Sequence, residues 1–393
     1  MKHKKGSVLL VQRANIEHYP PVMHQLRMLE EQSHVRVLDR VSQKDEKEAI
    51  LPGDTERVRV RISARRDGSI SLKHRLEEGF AFAKALNREI ARKPDLAIAY
   101  DPDAASLLLR KKSSPGLKRI VHLHEMLEPA TSGRTTRLSI RYLERHLNRA
   151  DLVIVPDSER ARIIAGQFGL TTDPTVVMNC PPLLSAIPES RLIPELQKRD
   201  VSPSGIVHYQ GAIGRDHYLE DVIQSMIHWP AGSIFVVVGG SEGDYRAHLR
   251  QIAESVGMSS RVQYVDRVPY AEVLSYAVGA TIGITLLEPR IKNWQFSAGA
   301  SNKRFEYASL GIAQVTNGGP GMEELFGQTQ IASLLDSVDP ESIGREIARL
   351  LTNPAVSAAM GACARAAHLR ANNYEAQFAP VLQIIDGWLS NAS

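Results

Sequence analysis

At 393 residues, 43% of them hydrophobic and 23% charged, the chain has the composition of a globular protein too long for one compact core; it fits two domains of roughly 180 residues each. No apolar run approaches the ~20 residues of a membrane span, and two cysteines make neither a disulfide framework nor a zinc site. Residues 1–200 carry 35 Lys and Arg against 26 Asp and Glu, net +9, and the remainder 13 against 18, net −5; a basic half suits an anionic lipid surface, nucleic acid or an acidic substrate.

The first half alternates short apolar runs with helical patterns, the signature of a parallel sheet with crossover helices. Strands are expected at 7–12, 35–38, 95–100, 119–124, 152–155 and 175–178, with helices at 20–31 and 104–110. The apolar run Ser7 to Gln12 is too short for a signal-peptide core, so a reducing, cytoplasmic setting is expected. No Gly-x-Gly-x-x-Gly follows that first strand, which argues against a dinucleotide-binding dehydrogenase half. Walker-type phosphate loops, His-Glu-x-x-His zinc helices and Gly-x-Ser-x-Gly elbows are absent too.

Two basic features mark this half. Arg57, Arg59 and Arg61 alternate with apolar residues on a strand pattern, and Arg137, Arg141, Arg145 and Arg149 recur every four residues in a helix expected over 135–149. A solvated helix face is one reading of that row. The other is a surface for anionic lipid headgroups, at ~1 kcal/mol per basic residue. Without interleaved aromatics it does not suit single-stranded nucleic acid. Residues 181–205 hold five prolines and few periodic apolar positions, as an interdomain linker would.

The second half repeats a unit of strand, polar or Gly-bearing loop, and helix. Strands are expected at 205–210, 233–238, 262–265, 280–287 and 313–316, and helices follow them, ending with 340–351, 355–369 and 374–389. The loops fall at the carboxyl ends of the strands, where doubly wound sheets bind ligands. The most informative loop runs from Gln295 through Ser301-Asn-Lys-Arg-Phe-Glu-Tyr307 to Gly311. A helix over 302–310 is expected, with Ser301 as N-cap and Gly311 in the left-handed C′ position. Its first N–H groups and Lys303 suit a phosphate, and Glu306, one turn on, can accept from two vicinal hydroxyls of a ribose.

With these elements in order, the chain resembles the GT-B fold glycosyltransferases, of the family 4 (group 1) type, over nearly its whole length. The matching stretches are Val121-His-Leu-His-Glu125, Ala150 to Ser158, Val176 to Pro181, Val236-Val-Val-Gly239, Asp266-Arg-Val-Pro269, Ser301 to Tyr307 with Gly311, and Gly319 to Glu324. The resemblance implies an α/β architecture of two Rossmann-like, doubly wound parallel-sheet domains: residues 1–184 for the acceptor, a linker at 185–204, residues 205–370 for the donor, and a helix at 371–393 crossing back to the first domain. It implies transfer of a sugar from a UDP- or GDP-sugar to a glycan, glycolipid or other glycoconjugate, with retention. Neither metal nor cofactor is expected, the nucleotide-sugar being a co-substrate, and the enzyme would be cytoplasmic or peripheral on the inner membrane face.

The resemblance also assigns roles. His124, with Glu125 beside it, would stand near the sugar; Ser301, Asn302, Lys303 and Arg215 would neutralise the diphosphate; Glu306 would hold the ribose. Arg267 and Val268 would flank the base, and Gly211, Gly239 and Gly240 would let the donor approach the backbone. His217 fits the place of a second cation about as well as Arg215. Many relatives carry two glutamates eight positions apart, and here the earlier one is Ala298. That departure keeps a non-catalytic nucleotide-sugar-binding subunit open as an alternative. A sugar-nucleotide 2-epimerase of the same fold is the other.

Overall fold

The computed structural model describes residues 4–42, 51–62, 72–111, 115–130, 132–241 and 243–390. Glu242, in the Gly-rich loop after residue 238, lies outside them. The chain divides into two compact units, one made of residues up to Met178 together with Gln377 onward, the other of Asn179–Ala376.

The first unit is built on strands β1 (Ser7–Gln12), β2 (His34–Ser42), β3 (Glu56–Ile62), β4 (Leu96–Tyr100), β5 (Lys118–His122), β6 (Leu152–Val155) and β7 (Thr175–Val176). They form a parallel sheet in the order β3-β2-β1-β4-β5-β6-β7. A parallel sheet covered by helices needs strands apolar on both faces, and Val8 to Val11 and Leu96 to Tyr100 are all fully buried. Phe82 and Leu86, Ala104 and Leu108, Ile140 and Leu143, and Ile164 and Phe168 come from four successive helices and share one core with Leu9, Val11 and Val121. The direction of winding reverses between β1 and β4, so their carboxyl ends open a crevice there.

The second unit carries β8 (Gly205–Gln210), β9 (Ser233–Val238), β10 (Val262–Val265), β11 (Ile282–Thr285), β12 (Ala313–Asn317) and β13 (Ser333–Leu335), all parallel, in the order β10-β9-β8-β11-β12-β13. Its winding reverses between β8 and β11. Both sheets are thus of the doubly wound kind expected.

Four local expectations need correction. Residues 185–204 are no free linker: helix Leu192–Gln197 buries Leu192 and Leu196 against Ile206, Ile234 and Val236 of the second sheet. A 20-residue helix, Leu72–Ala91, occupies a stretch where the sequence reading assigned nothing. Arg57 and Arg59 do not form a free basic face. Arg57 pairs with Asp39 at 2.5 Å and Glu17 at 2.7 Å, and Arg59 pairs with the same Glu17 at 2.6 Å. In helix Arg134–His146, Arg137 turns back to donate to the Pro129 carbonyl at 2.8 Å, while Arg141, Arg145 and Leu138 are exposed. Arg149, also exposed, lies beyond the helix in the 3-10 turn Leu147–Arg149, so the helix expected over 135–149 ends early.

The last helix, Tyr374–Ser390, begins in the second unit and continues into the first. Gln377 Oε1 accepts from the Met178 N–H at 3.3 Å, Lys118 Nζ lies 5.3 Å from the Trp388 ring, and a Cβ on Gly6 would come within 2.9 Å of Leu389.

Candidate active site

In the second unit the site grows from the carboxyl ends of β8, β9 and β11. Helix Asn302–Leu310 has the bounds the sequence predicts, and Gly311 closes it at φ +69°, a left-handed conformation that suits glycine. Gly311 also lies so close to helix Pro354–Arg370 that a Cβ on Gly361 would meet its carbonyl at 2.1 Å. At the other end Ser301 is buried in the N-cap position but makes no side-chain cap bond, a correction to its expected role. The loop before it is held from outside: Asn179 accepts nothing there but donates its backbone N–H to Gly299 O and its Nδ2 to Ala300 O, each at 2.9 Å. The amides of the first turn are therefore presented without a competing hydroxyl, and such a turn carries about half a positive charge.

Lys303 and Gly211 are brought together. The half-buried lysine extends over the Tyr209 ring, with Nζ 5.4 Å from its centroid, and a Cβ on Gly211 would stand 3.1 Å from Nζ. Burial pushes the Lys303 ammonium down to about 8, against the pull of Glu306 and Asp216. Gly239, at φ +156°, packs on Gly211 so tightly that a Cβ would overlap the Gly211 carbonyl at 1.8 Å. That contact brings the loops after β8 and β9 together. Arg246 fastens the second loop, donating to Gly239 O and pairing with Asp266, both at 2.5 Å. Gly240 lies against Arg267, whose Cβ and Cδ would be 3.7 Å from a Cβ there; Arg267 is exposed and Val268 half-buried.

Glu306 is 4% exposed and accepts from Gln210 Nε2 at 2.5 Å, with Tyr270 as a further donor. Burial raises its carboxyl above the ordinary range, while Gln210 and Lys303 oppose the rise. Arg215, by contrast, points away: it is exposed, pairs with Glu220 at 3.2 Å and stacks on Tyr245. His217 is 3% exposed and lies between Tyr209 and Trp294, with ring centroids 5.7 Å from each. Burial, and then Lys303, push its imidazole down to about 4, so it is neutral at pH 7. The buried Nδ1 of His217 completes no hydrogen bond among the described residues, and the Leu286 backbone acts on the imidazole. Asp216, the neighbouring carboxylate, is held by Trp294 Nε1 at 2.6 Å.

In the first unit, His124 follows β5 and is 5% exposed. Its ring stacks on His122 at 4.2 Å, and its carbonyl takes Arg160 Nη1 at 2.5 Å. Asp101 Oδ1 accepts the His124 backbone N–H at 2.8 Å, and its Oδ2 lies 3.5 Å from His124 Nδ1. Glu125 is exposed and acts on the buried Arg160 and on Tyr19, whose phenol burial pushes to about 12. Asp101, Arg160, Arg246 and Gln210 escaped the sequence reading. The one available signal was Asp101-Pro-Asp103 at a strand end, because an acidic residue there stands beside whatever the next strand delivers.

The Asn302 turn, Lys303 and the Gly211–Gly239 contact make a cationic cradle with a buried carboxylate one turn away. Among the described residues no three His, Cys, Asp or Glu gather into a set that could hold a metal ion. Among the described residues no helix is long and apolar enough to cross a membrane.

Two family models match, "Glycosyltransferase Family 4" over residues 22–181 and "Glycosyl transferase-like" over residues 221–383. No curated protein sequence matches the chain. Among solved structures the fold is similar to HepE from Anabaena in complex with UDP (13% identity, TM-score 0.71), covering 97% of this chain and 100% of that one. It is similar to sucrose-phosphate synthase from Thermosynechococcus elongatus (17% identity, TM-score 0.73, covering 99% and 100%). It is also similar to WaaG, a glycosyltransferase involved in lipopolysaccharide biosynthesis (15% identity, TM-score 0.67, covering 97% and 99%). With both halves matched by glycosyltransferase families and both sheets wound as theirs are, the chain is a GT-B-fold glycosyltransferase of the family 4 type.

Proposed function

We propose that the protein transfers a hexose from a UDP-sugar to a glycan or lipid-linked glycoconjugate, with retention and without a metal ion or cofactor. The observation that carries this reading is the cradle around the Asn302 turn, with Glu306 buried one turn behind Lys303. The UDP assignment is supported by HepE, a fold relative seen with UDP and with UDP-glucose. In the reaction, charge develops on the departing diphosphate. Preorganised donors aimed at such charge contribute typically about 3–4 kcal/mol each, and here they are the N–H groups of the Asn302 turn and the Lys303 ammonium. His217 can join them by taking up a proton when the diphosphate arrives. Glu306 accepts the ribose hydroxyls, its orientation set by Gln210 and Tyr270. Gly211, Gly239 and Gly240 admit the donor to the backbone, and Arg267 and Val268 flank the base. His124 hydrogen-bonds the sugar, with Glu125 at its edge.

The same reading places the protein on the cytoplasmic face of a membrane, through Arg141, Arg145, Arg149 and Leu138. Arg137 is left out because its guanidinium is bound to its own loop.

A second reading rests on Ala298. It is 1% exposed and backed against Gly321, where a Cβ would lie 3.4 Å away. With no carboxylate at that place, a nucleotide-sugar-binding subunit without turnover is the alternative. Calorimetry with UDP, GDP, ADP and CDP, then radiolabelled sugar nucleotides with and without EDTA, tests both. Sugar released to water or acceptor supports transfer. Tight UDP binding with no turnover supports the subunit, an altered donor sugar an epimerase, and no nucleotide binding overturns all three.

A further inference from the structure

Three strand ends meet where the first sheet reverses its winding, and the residues they deliver are Gln12 at the end of β1, Asp101 after β4 and His124 after β5. Asp101 is held at φ +59°, a conformation non-glycine residues adopt uncommonly and usually under constraint. Its two oxygens face the same residue: Oδ1 takes the His124 backbone N–H at 2.8 Å, and Oδ2 stands 3.5 Å from the ring Nδ1. Gln12 hydrogen-bonds the carboxylate as well. The imidazole cannot turn away, because Tyr100, His122 and Tyr19 pack around it with centroids 5.7, 4.2 and 6.1 Å distant. Both ring nitrogens are buried and neither completes a hydrogen bond among the described residues, where the 3.5 Å approach of Oδ2 to Nδ1 is the nearest a carboxylate comes to the ring.

We propose that Asp101 is a positioning residue that sets the tautomer of His124, holding the proton on Nδ1 so that Nε2 is presented as a bare acceptor to a substrate hydroxyl. The chemistry is one of polarity. An ionised carboxylate can only accept, so a neutral imidazole whose Nδ1 faces it carries its proton there and its lone pair on Nε2. The identity of the hydroxyl rests on the transferase reading; the pairing itself does not.

The isosteric change Asp101→Asn separates orientation from packing. The backbone N–H of His124 keeps the amide oxygen on its side, so the NH2 group turns to Nδ1 and drives the ring proton to Nε2. Two-bond proton–nitrogen correlation on full-length protein with 15N-labelled histidine reads this directly, the His124 signals being those lost in His124→Phe. Protonated Nδ1 with bare Nε2 in the wild type, exchanged in Asp101→Asn, is expected. Protonated Nε2 in the wild type overturns the proposal, and so does one tautomer in both proteins. If Asp101→Asn does not fold, the wild-type tautomer alone decides. With UDP-glucose as probe, Asp101→Asn should lower kcat about tenfold or more with KM little changed; KM and melting temperature moving with kcat would mean a structural role and overturn it. If the wild type does not turn over UDP-glucose, the transferase reading fails while the tautomer still decides the pairing.

Discussion

Lys303 and Glu306 sit one helical turn apart, and each has a charge state that its surroundings have moved. Burial brings the lysine to about 8, so the free protein loses that proton as pH rises through 8, whereas a bound diphosphate favours the ammonium. The Lys303 contribution to UDP affinity should therefore be level well below pH 8 and fall roughly tenfold per unit well above it, while proton uptake by His217 adds a rise toward lower pH. Lys303→Met should weaken binding at pH 7 and flatten that slope; isothermal titration across pH 6–10 checks both. Glu306→Ala should weaken UDP binding by roughly 10–100-fold, the worth of a hydrogen bond to a charged group. It also strips Gln210 Nε2 of its 2.5 Å acceptor, at a cost of about 1–3 kcal/mol. Calorimetry should thus show a lower melting temperature as well as weaker binding, and Glu306→Gln should recover most of the stability.

The element most open to a partner is helix Arg134–His146. Reversing Arg141, Arg145 and Arg149 to Glu should release the protein from anionic vesicles in a pelleting assay, since each basic residue near such a surface is worth ~1 kcal/mol. Arg137→Glu should act differently, loosening the turn at Pro129 to Ser132 that its guanidinium ties together. Equal pelleting of wild type and triple mutant would remove the membrane from the proposal. The same scale shows what could be read in the chain. Strands β1, β4, β8 and β9 were legible because burial on both faces leaves an unbroken apolar run. Helix Asn302–Leu310 was legible through its terminal residues. Helix Leu72–Ala91 was not: Leu76 and Phe80 are 56% and 76% exposed, so its apolar positions do not trace one stripe. Partner choice was hidden for another reason. Asp101 and His124 are 23 positions apart and Gln210 and Glu306 are 96, and only the fold decides such pairs. The resemblance left Arg215 and His217 as alternatives; the turn Arg215–His217, followed by Tyr218 at φ +52°, buries His217 and leaves Arg215 exposed.

For the molecule as a whole, the net positive and net negative halves of the sequence fall largely on different units, so salt should weaken membrane attachment well before it disturbs nucleotide binding. The backbone leaves the first unit at Met178 and re-enters it at Gln377. A chain ended after Ala376 loses Phe378, Val381, Ile385 and Leu389, all buried. At about 1.5–3 kcal/mol for each buried side chain, that loss rivals the whole stability of an ordinary domain. Thermal unfolding should show the first unit's transition lost or well lowered, while UDP binding by the second persists. There is a temporal side to that return of the backbone. On the ribosome, residues up to Met178 wait for Gln377 onward, and the second unit, emerging whole in between, can take shape while the first is still unfinished. Until Gln377 onward is translated, the first unit lacks the buried Phe378, Val381, Ile385 and Leu389, an interval in which a chaperone would find its natural client.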